Sequence, residues 1–261
     1  MSLEYKSHMP AQQVALVTGS GKRRVGWHVA DALARHGYDI AVHYNTSAAE
    51  AQITKTSIEA HGAQAETFQA DLTDEQSVRD LVSQVHNSFG RIDVLVHTAA
   101  AWKSKRLEDV AATDVRRFLE TNTLTTFLCC QHIGLAMVGQ PEGGSIITFG
   151  DWATTRPYIN YAAYFPSKGA IPTLTRTMAV ELGIRNPKVR VNCILPGPVL
   201  LPPDLPAAER QQAIDATLVK REGSPHNIVQ AVLHFIENDF VTGACLPVDG
   251  GRSIYASDSE G

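Results

Sequence analysis

The sequence is short of everything that would staple, anchor or metallate a chain. Four cysteines occur in 261 residues: Cys129 and Cys130 are adjacent, Cys193 and Cys245 stand alone, and no CxxC or mixed Cys/His ligand spacing is present. This excludes a disulfide framework, argues against zinc and iron–sulfur sites, and fits a reducing, cytoplasmic compartment. No stretch approaches the ~20 apolar residues of a membrane span, and the polar start of the chain lacks the apolar core of a signal peptide. Positive charge is in slight deficit, 23 Lys and Arg against 27 Asp and Glu for a net −4, with no basic block. Nucleic acid would find no electrostatic footprint here. Neither a GxSxG elbow nor an HExxH helix occurs, which speaks against hydrolases. Residues 1–10 read as a disordered N-terminus and 256–261 as a C-terminal tail.

What is present is an ordinary apolar content, 44%, in a chain long enough to bury roughly three quarters of its unfolded surface. One domain over 11–255 is expected. Short apolar runs at 14–17, 39–44, 65–69, 92–96, 145–149 and 189–194 alternate with helical periodicity at 25–36, 48–60, 75–89, 107–138 and 158–185. Such alternation predicts a doubly wound α/β domain of the Rossmann type, a parallel sheet with helices on both faces. The rhythm breaks at 195–223, proline-rich at first and then helix-forming over 207–220. A long excursion of this kind is commonly functional, and it reads as a substrate-binding lid.

Thr18-Gly19-Ser20-Gly21-Lys22-Arg23-Arg24-Val25-Gly26 joins the first strand to the first helix. Glycines there let backbone amides reach a pyrophosphate that the helix N-terminus attracts. Either Arg23 or Arg24 would meet the phosphates, with Arg24 preferred by counting back from Gly26. At the end of the second strand, NAD-preferring proteins carry an acid for the ribose 2′-hydroxyl; this chain has Tyr44-Asn45-Thr46-Ser47. A 2′-phosphate meets no repulsion, so NADPH is the expected cofactor. Thr46 or Ser47 would also cap the second helix. After the third strand, Ala70-Asp71-Leu72 offers a carboxylate either for the adenine amino group or as a helix cap.

Tyr164 and Lys168 lie four residues apart, one face of a helix. An ammonium near a phenol lowers its pKa from ~10 and lets it pass a proton to a reacting atom. Asn122 falls in the preceding long helical segment.

The Thr18-Gly19 turn, Ala70-Asp71-Leu72, Asn122, Tyr164 with Lys168, Pro196-Gly197 and Val248-Asp249-Gly250-Gly251, in that order, resemble the short-chain dehydrogenase/reductase family over residues 13 to about 252. The resemblance implies that Tyr164 is the general acid, that Lys168 holds the nicotinamide ribose and lowers the tyrosine pKa, and that Asn122 anchors a water in a proton relay. It also implies a homotetramer, with Pro196 and Gly197 beside the cofactor and Pro196 beside the substrate. The usual family serine thirteen residues ahead of the tyrosine is here Asp151. A carboxylate would repel a developing alkoxide but suits a substrate with N–H donors, or a ring nitrogen that takes up a proton.

In this the chain resembles pteridine and dihydromonapterin reductases, which carry an Asp-Tyr-Lys set. His97-Thr98-Ala99-Ala100-Ala101-Trp102 follows the fourth strand where the family usually has Asn-Asn-Ala-Gly. Thr98, Ala99 and Ala100 would line the cofactor, and Trp102 would cover a pterin lying against the nicotinamide, a stacking that flat heteroaromatic rings favour. The expected activity is hydride transfer to a pterin-like C=N bond. Competing readings are a reductase of another carbonyl or imine, and a non-catalytic dinucleotide-binding regulator; the last has no use for a proton relay.

Overall fold

The computed structural model describes residues 12–255; the N-terminal segment and the C-terminal tail set apart above lie outside them. Seven strands, β1 (Val14–Thr18), β2 (Asp39–Tyr44), β3 (Ala65–Gln69), β4 (Val94–His97), β5 (Gly144–Phe149), β6 (Val189–Pro196) and β7 (Cys245–Val248), form one sheet in the order β3-β2-β1-β4-β5-β6-β7. Every pairing is parallel. Helices follow as α1 (Val25–Arg35), α2 (Ala48–Glu59), α3 (Glu75–Phe89), α4 (Ala112–Phe118), α5 (Thr125–Val138), α6 (Phe165–Arg185), α7 (Ala207–Asp215) and α8 (Pro225–Glu237).

The strands read as continuous apolar runs because both faces are covered. Alternate residues of β1 go opposite ways: Ala15 and Val17 join Val29, Leu33, Ile228 and Phe235 from α1 and α8, while Leu16 joins Leu81, Ile133 and Met178 from α3, α5 and α6. Strand order reverses between β1 and β4, which opens a crevice at their carboxyl ends, the usual ligand position in open α/β sheets.

Three expected elements differ. The segment 107–138 is not one helix: a 3₁₀ turn (Leu107–Asp109) and α4 precede a π-helical turn (Leu119–Leu124) that leads into α5. In and just after this turn, Thr121, Thr125 and Thr126 each donate to the carbonyl four residues back. π turns of this kind recur at functional sites.

Helix α6 begins only at Phe165: Pro166 falls in its first turn, where a missing N–H costs least, and Asn160 sits at a positive φ of 71°, while Pro172 lies inside the helix. The helix expected over 207–220 ends at Asp215; beyond it the Leu218 amide leaves the helix to donate to Gly250.

Two elements carried no sequence-based assignment. Helix α8 starts at a Ser224/Asn227 capping box with Pro225 in its first turn, and the buried Arg190 guanidinium donates to the carbonyls of Phe235 and Ile236 at its far end. The other is β7.

Candidate active site

The crevice is closed tightly around its glycines. A Cβ on Gly19 would stand 3.1 Å from the Ala99 Cα, one on Gly26 only 2.4 Å from Thr98 Oγ1, and one on Gly21 within 3.1 Å of Ser47 Oγ. The β1, β2 and β4 ends therefore converge on one turn. Two buried histidines hold it. The Gly19 amide donates to His43 Nδ1 at 3.1 Å, which leaves Nε2–H to donate to the Ala70 carbonyl, also 3.1 Å. Burial pulls His43 down to about 4 and His97 to about 3, so both are neutral struts. His97 lies between the Thr18 hydroxyl, 3.1 Å from Nδ1, and the Thr125 hydroxyl, 3.4 Å from Nε2. Thr18 Oγ1 in turn accepts from the Ala99 amide, and Thr98 Oγ1 donates to the Thr18 carbonyl.

At the head of α1 no side chain caps the first turn, and no acid lies in it. Its amides therefore face the crevice without an internal anionic partner, an arrangement that fits a phosphate. Arg24 occupies the N-cap and is exposed, and Val25 opens the helix. Arg23 has its guanidinium 4.8 Å from the Trp27 ring centroid, a cation–π contact, and Lys22 stands 3.9 Å from Glu50.

Ser47 is the N-cap residue of α2, yet neither its hydroxyl nor that of Thr46 performs the expected capping: Ser47 makes no side-chain cap bond. Asn45 and Thr46 are exposed and Tyr44 and Ser47 half-buried. Asp71 is not the helix cap. Its Oδ1 accepts from the amide and hydroxyl of Thr73, which holds the carboxyl below its usual range, and Asp74 caps α3 instead. Ala70 and Leu72 on either side are buried. On the other flank, Gly197 passes so close to the chain after β7 that a Cβ would lie 2.4 Å from the Asp249 Cα, with its amide on the Val248 carbonyl; Pro196 pairs with Val248.

The catalytic candidates converge from β5, the π turn and α6. Asn122 is 1% exposed. Its Oδ1 accepts from the Ala101 amide at 2.8 Å, and its Nδ2 donates to the Ala101 carbonyl and to Ser167 Oγ, 3.0 and 2.9 Å. Ser167 Oγ donates to the Tyr164 carbonyl at 2.6 Å. Ser167 thus ties Asn122 to the tyrosine's own backbone; a serine three residues after the tyrosine was the available signal, and sequence reasoning passed over it.

The Tyr164 hydroxyl donates to Asp151 Oδ2 at 2.9 Å, and Asp151 Oδ1 accepts from the Ala153 amide. Lys168, 5% exposed, donates to the Phe149 carbonyl at 2.8 Å rather than to the phenol. Burial first, then the adjacent Asp151 carboxylate, push Tyr164 well above its usual value. This reverses the expectation that Lys168 lowers it. Burial also raises Asp151, against the opposing pull of Ala153, Tyr164 and Lys168, and lowers Lys168. Burial thus disfavours the charged form of each of the three groups and keeps the phenolic proton on Tyr164.

Trp102 is 53% exposed and stacks on Tyr161 with centroids 5.3 Å apart and planes at 22°. Tyr161 stands 6.1 Å from Tyr164, Tyr158 is edge-on to Tyr161 at 5.0 Å and stacked on Trp152 at 6.1 Å, and Phe118 closes on Tyr164 at 5.8 Å. The wall beside the phenol is therefore aromatic on every contributing element. Tyr158 and Tyr161 were not anticipated as site residues, because the sequence pattern put them in the first turns of a helix that starts only at Phe165. The Lys105 amide donates to the Asn160 carbonyl at 2.7 Å and binds the two loops of this wall together.

A carboxyl-linked phenol and a buried lysine beside a phosphate-fitting, glycine-lined crevice define an oxidoreductase built on a dinucleotide-binding sheet. The chain belongs to the short-chain dehydrogenase/reductase family: the family model described as enoyl-(acyl carrier protein) reductase matches residues 20–253. It is 33% identical over 250 residues to an uncharacterised oxidoreductase of Methylorubrum extorquens, covering 92% of this chain and 97% of that one. It is 30% identical over 249 residues to an L-rhamnose 1-dehydrogenase (NAD(P)(+)) of a Sphingomonas species, covering 93% and 96%. Acetoin dehydrogenase from Enterobacter cloacae superposes with a TM-score of 0.84 at 30% identity over 95% of this chain and 98% of that one. A dehydrogenase from Burkholderia cenocepacia with bound NADP does so at 0.85 and 26% identity, over 94% and 95%. The family binds NAD(P). No helix among the described residues is long and apolar enough to cross a membrane.

Proposed function

We propose that this protein is an NADPH-dependent reductase of a pterin-like C=N bond, with Tyr164 as proton donor. The observation that carries the reading is the Tyr164–Asp151 hydrogen bond of 2.9 Å, which stands a carboxyl group where simple carbonyl chemistry favours a neutral hydroxyl. When bound, the nicotinamide supplies the hydride. Reduction of a ring C=N leaves the nitrogen in need of a proton, and the Tyr164 hydroxyl, oriented by the Asp151 carboxyl, supplies it. Asn122, fixed through Ser167 and Ala101, keeps the polar chain behind the phenol in register. Lys168, anchored on Phe149, faces the ribose side. The half-exposed Trp102 and the tyrosines behind it offer a flat ring a π surface.

The cofactor fits the crevice residues. Gly19, Gly21 and Val25 leave backbone space and amides for the pyrophosphate. Arg24 takes the phosphate, since Arg23 is occupied by Trp27. Asn45, Thr46 and the uncapped hydroxyl of Ser47 receive a 2′-phosphate, Asp71 keeps an oxygen for the adenine, and Thr98, Ala99, Ala100, Pro196 and Gly197 flank the nicotinamide. Hydrogen bonds to a charged group contribute about 1.5–3 kcal/mol each, so NADPH should bind at least ~10-fold more tightly than NADH. Equal dissociation constants in a fluorescence titration would refute this.

The excursion 195–223 serves as a lid. Its two ends meet in a Val199–Gly223 bridge, and Arg210 of α7 pairs with Glu222 at its base, so α7 can swing as a unit. Hydrogen exchange over 207–220 should slow when NADPH and a dihydropterin analogue bind together; unchanged exchange removes the lid from the mechanism.

Phe127 and Leu135 on α5 and Val180 and Ile184 on α6 are exposed, and faces of this kind pair with symmetry mates. Light scattering should give a homotetramer; a monomer at micromolar concentration contradicts it.

The named activities of the relatives, on L-rhamnose and acetoin, favour a second reading, an alcohol or carbonyl substrate. NADPH oxidation measured with dihydrobiopterin, dihydromonapterin, dihydrofolate, acetoin and a set of ketones separates the two. The pterin reading expects the dihydropterins to turn over fastest and fails if the ketones do.

A further inference from the structure

The proton relay makes no use of the cysteines, and two of them are placed in a way composition alone could not show. In the β6–β7 ladder Cys193 pairs in register with Cys245. Neighbouring strands lie about 4.8 Å apart, inside the ~4.4–6.8 Å Cα separation that a disulfide spans, and register partners point to the same side of the sheet. Here that side is the underside of α6: Cys193 is buried with Ile171 and Leu195, and Cys245 packs against that cluster. The Cys245 Sγ also stands 4.0 Å from the Pro172 carbonyl.

We propose that Cys193 and Cys245 form a reversible dithiol–disulfide site that a hydroperoxide oxidises. The site is independent of the substrate reading. The two thiols are unequal partners. Cys193 is fully buried, its Sγ 3.5 Å from the Ile194 carbonyl, and the neighbouring Cys245 together with burial raises its thiol. Cys245 is partly exposed; the neighbouring Cys193, helped by the positive charge of Arg176, lowers it to about 7. The accessible sulfur is thus the one that ionises at neutral pH, and the thiolate is the reactive form. Cys129 and Cys130 supply the contrast. Both are fully buried and raised by desolvation, Cys130 to about 12, which makes them inert.

The chemistry balances in two steps. The Cys245 thiolate attacks one peroxide oxygen, the O–O bond breaks, and the departing hydroxide or alkoxide takes up a proton, leaving a sulfenic acid. The Cys193 sulfur then attacks the oxidised sulfur, forming the S–S bond and breaking the S–O bond, and water leaves with the thiol proton. Two thiols and one hydroperoxide give one disulfide, one water and one water or alcohol. An added dithiol reverses it by exchange.

The test treats the intact, folded protein with hydrogen peroxide and follows intact mass and a non-reducing peptide map. The expected result is the loss of two hydrogens per chain, a cross-link between the peptides holding Cys193 and Cys245, and full reversal by dithiothreitol. Cys193→Ser removes the second thiol, so its Cys245 should accumulate as a sulfenic acid that dimedone traps, whereas dimedone should leave the wild type nearly unlabelled. A cross-link mapped to Cys129 or Cys130, a cross-link only between chains, or Cys245 oxidised beyond sulfenic acid in the wild type without any cross-link overturns the proposal. So does a protein in which Cys245 stays unmodified.

Discussion

Tyr164→Phe is expected to lower kcat for reduction by ~10²–10⁴-fold, the usual contribution of a positioned general acid, while the dissociation constant for NADPH changes little. The ring keeps its contacts with Phe118 and Tyr161, so only the hydroxyl and its bond to Asp151 are lost. A cofactor titration beside steady-state kinetics checks both halves; a variant within a few-fold of wild-type kcat rules Tyr164 out as proton donor. The same substitution removes one of the groups that favour the Asp151 carboxylate and should raise its pKa further. The sign of the pH dependence follows. If the proton-bearing form of Asp151 is the competent one, as the pterin reading requires, wild-type reduction of a dihydropterin falls as pH rises through a pKa displaced above the ordinary carboxyl value. The residual activity of Tyr164→Phe should fall at a higher pH than that of the wild type.

Asp151→Ser separates the pterin reading from a generic carbonyl reductase. If the carboxyl supports protonation of a ring nitrogen, the variant should lose ~10²–10⁴-fold in kcat with a dihydropterin and bind NADPH as before. A ketone reductase predicts the opposite, neutral or improved turnover, because serine restores a neutral donor to the alkoxide. Trp102→Ala provides the complementary pattern: on the pterin reading its ring meets the substrate in ground state and transition state alike, so KM should rise with kcat nearly kept. Full activity of Asp151→Ser with a dihydropterin would end the pterin reading.

Much of the fold was legible because a doubly covered parallel sheet writes its strands as short apolar runs. Strands β1, β2 and β3 and helix α3 fall where the pattern put them. Helix α8 was missed although its Ser224-Pro225 start is a readable signal, and β7 was missed because Cys245–Val248 is only four residues long and contains Pro247. The break inside 107–138 was invisible for a different reason. The residues of the π turn around Asn122 look, in sequence, like ordinary positions on a helical face.

By itself the sequence determined the nucleotide-binding turn, the absence of an acid after Tyr44, and the residue types at 122, 151, 164 and 168, since each depends on short spacing or on what a position carries. The tertiary structure decided what those groups do to one another. It sent Lys168 to the Phe149 carbonyl, turned the Tyr164 hydroxyl onto Asp151 as a hydrogen-bond donor, built an aromatic wall from loop residues at 102, 158 and 161, and set Cys193 beside Cys245 across a strand boundary. Hydrogen-bond partners and desolvation depend on which distant segments meet, and pKa values follow those partners rather than the intervals between residues along the chain.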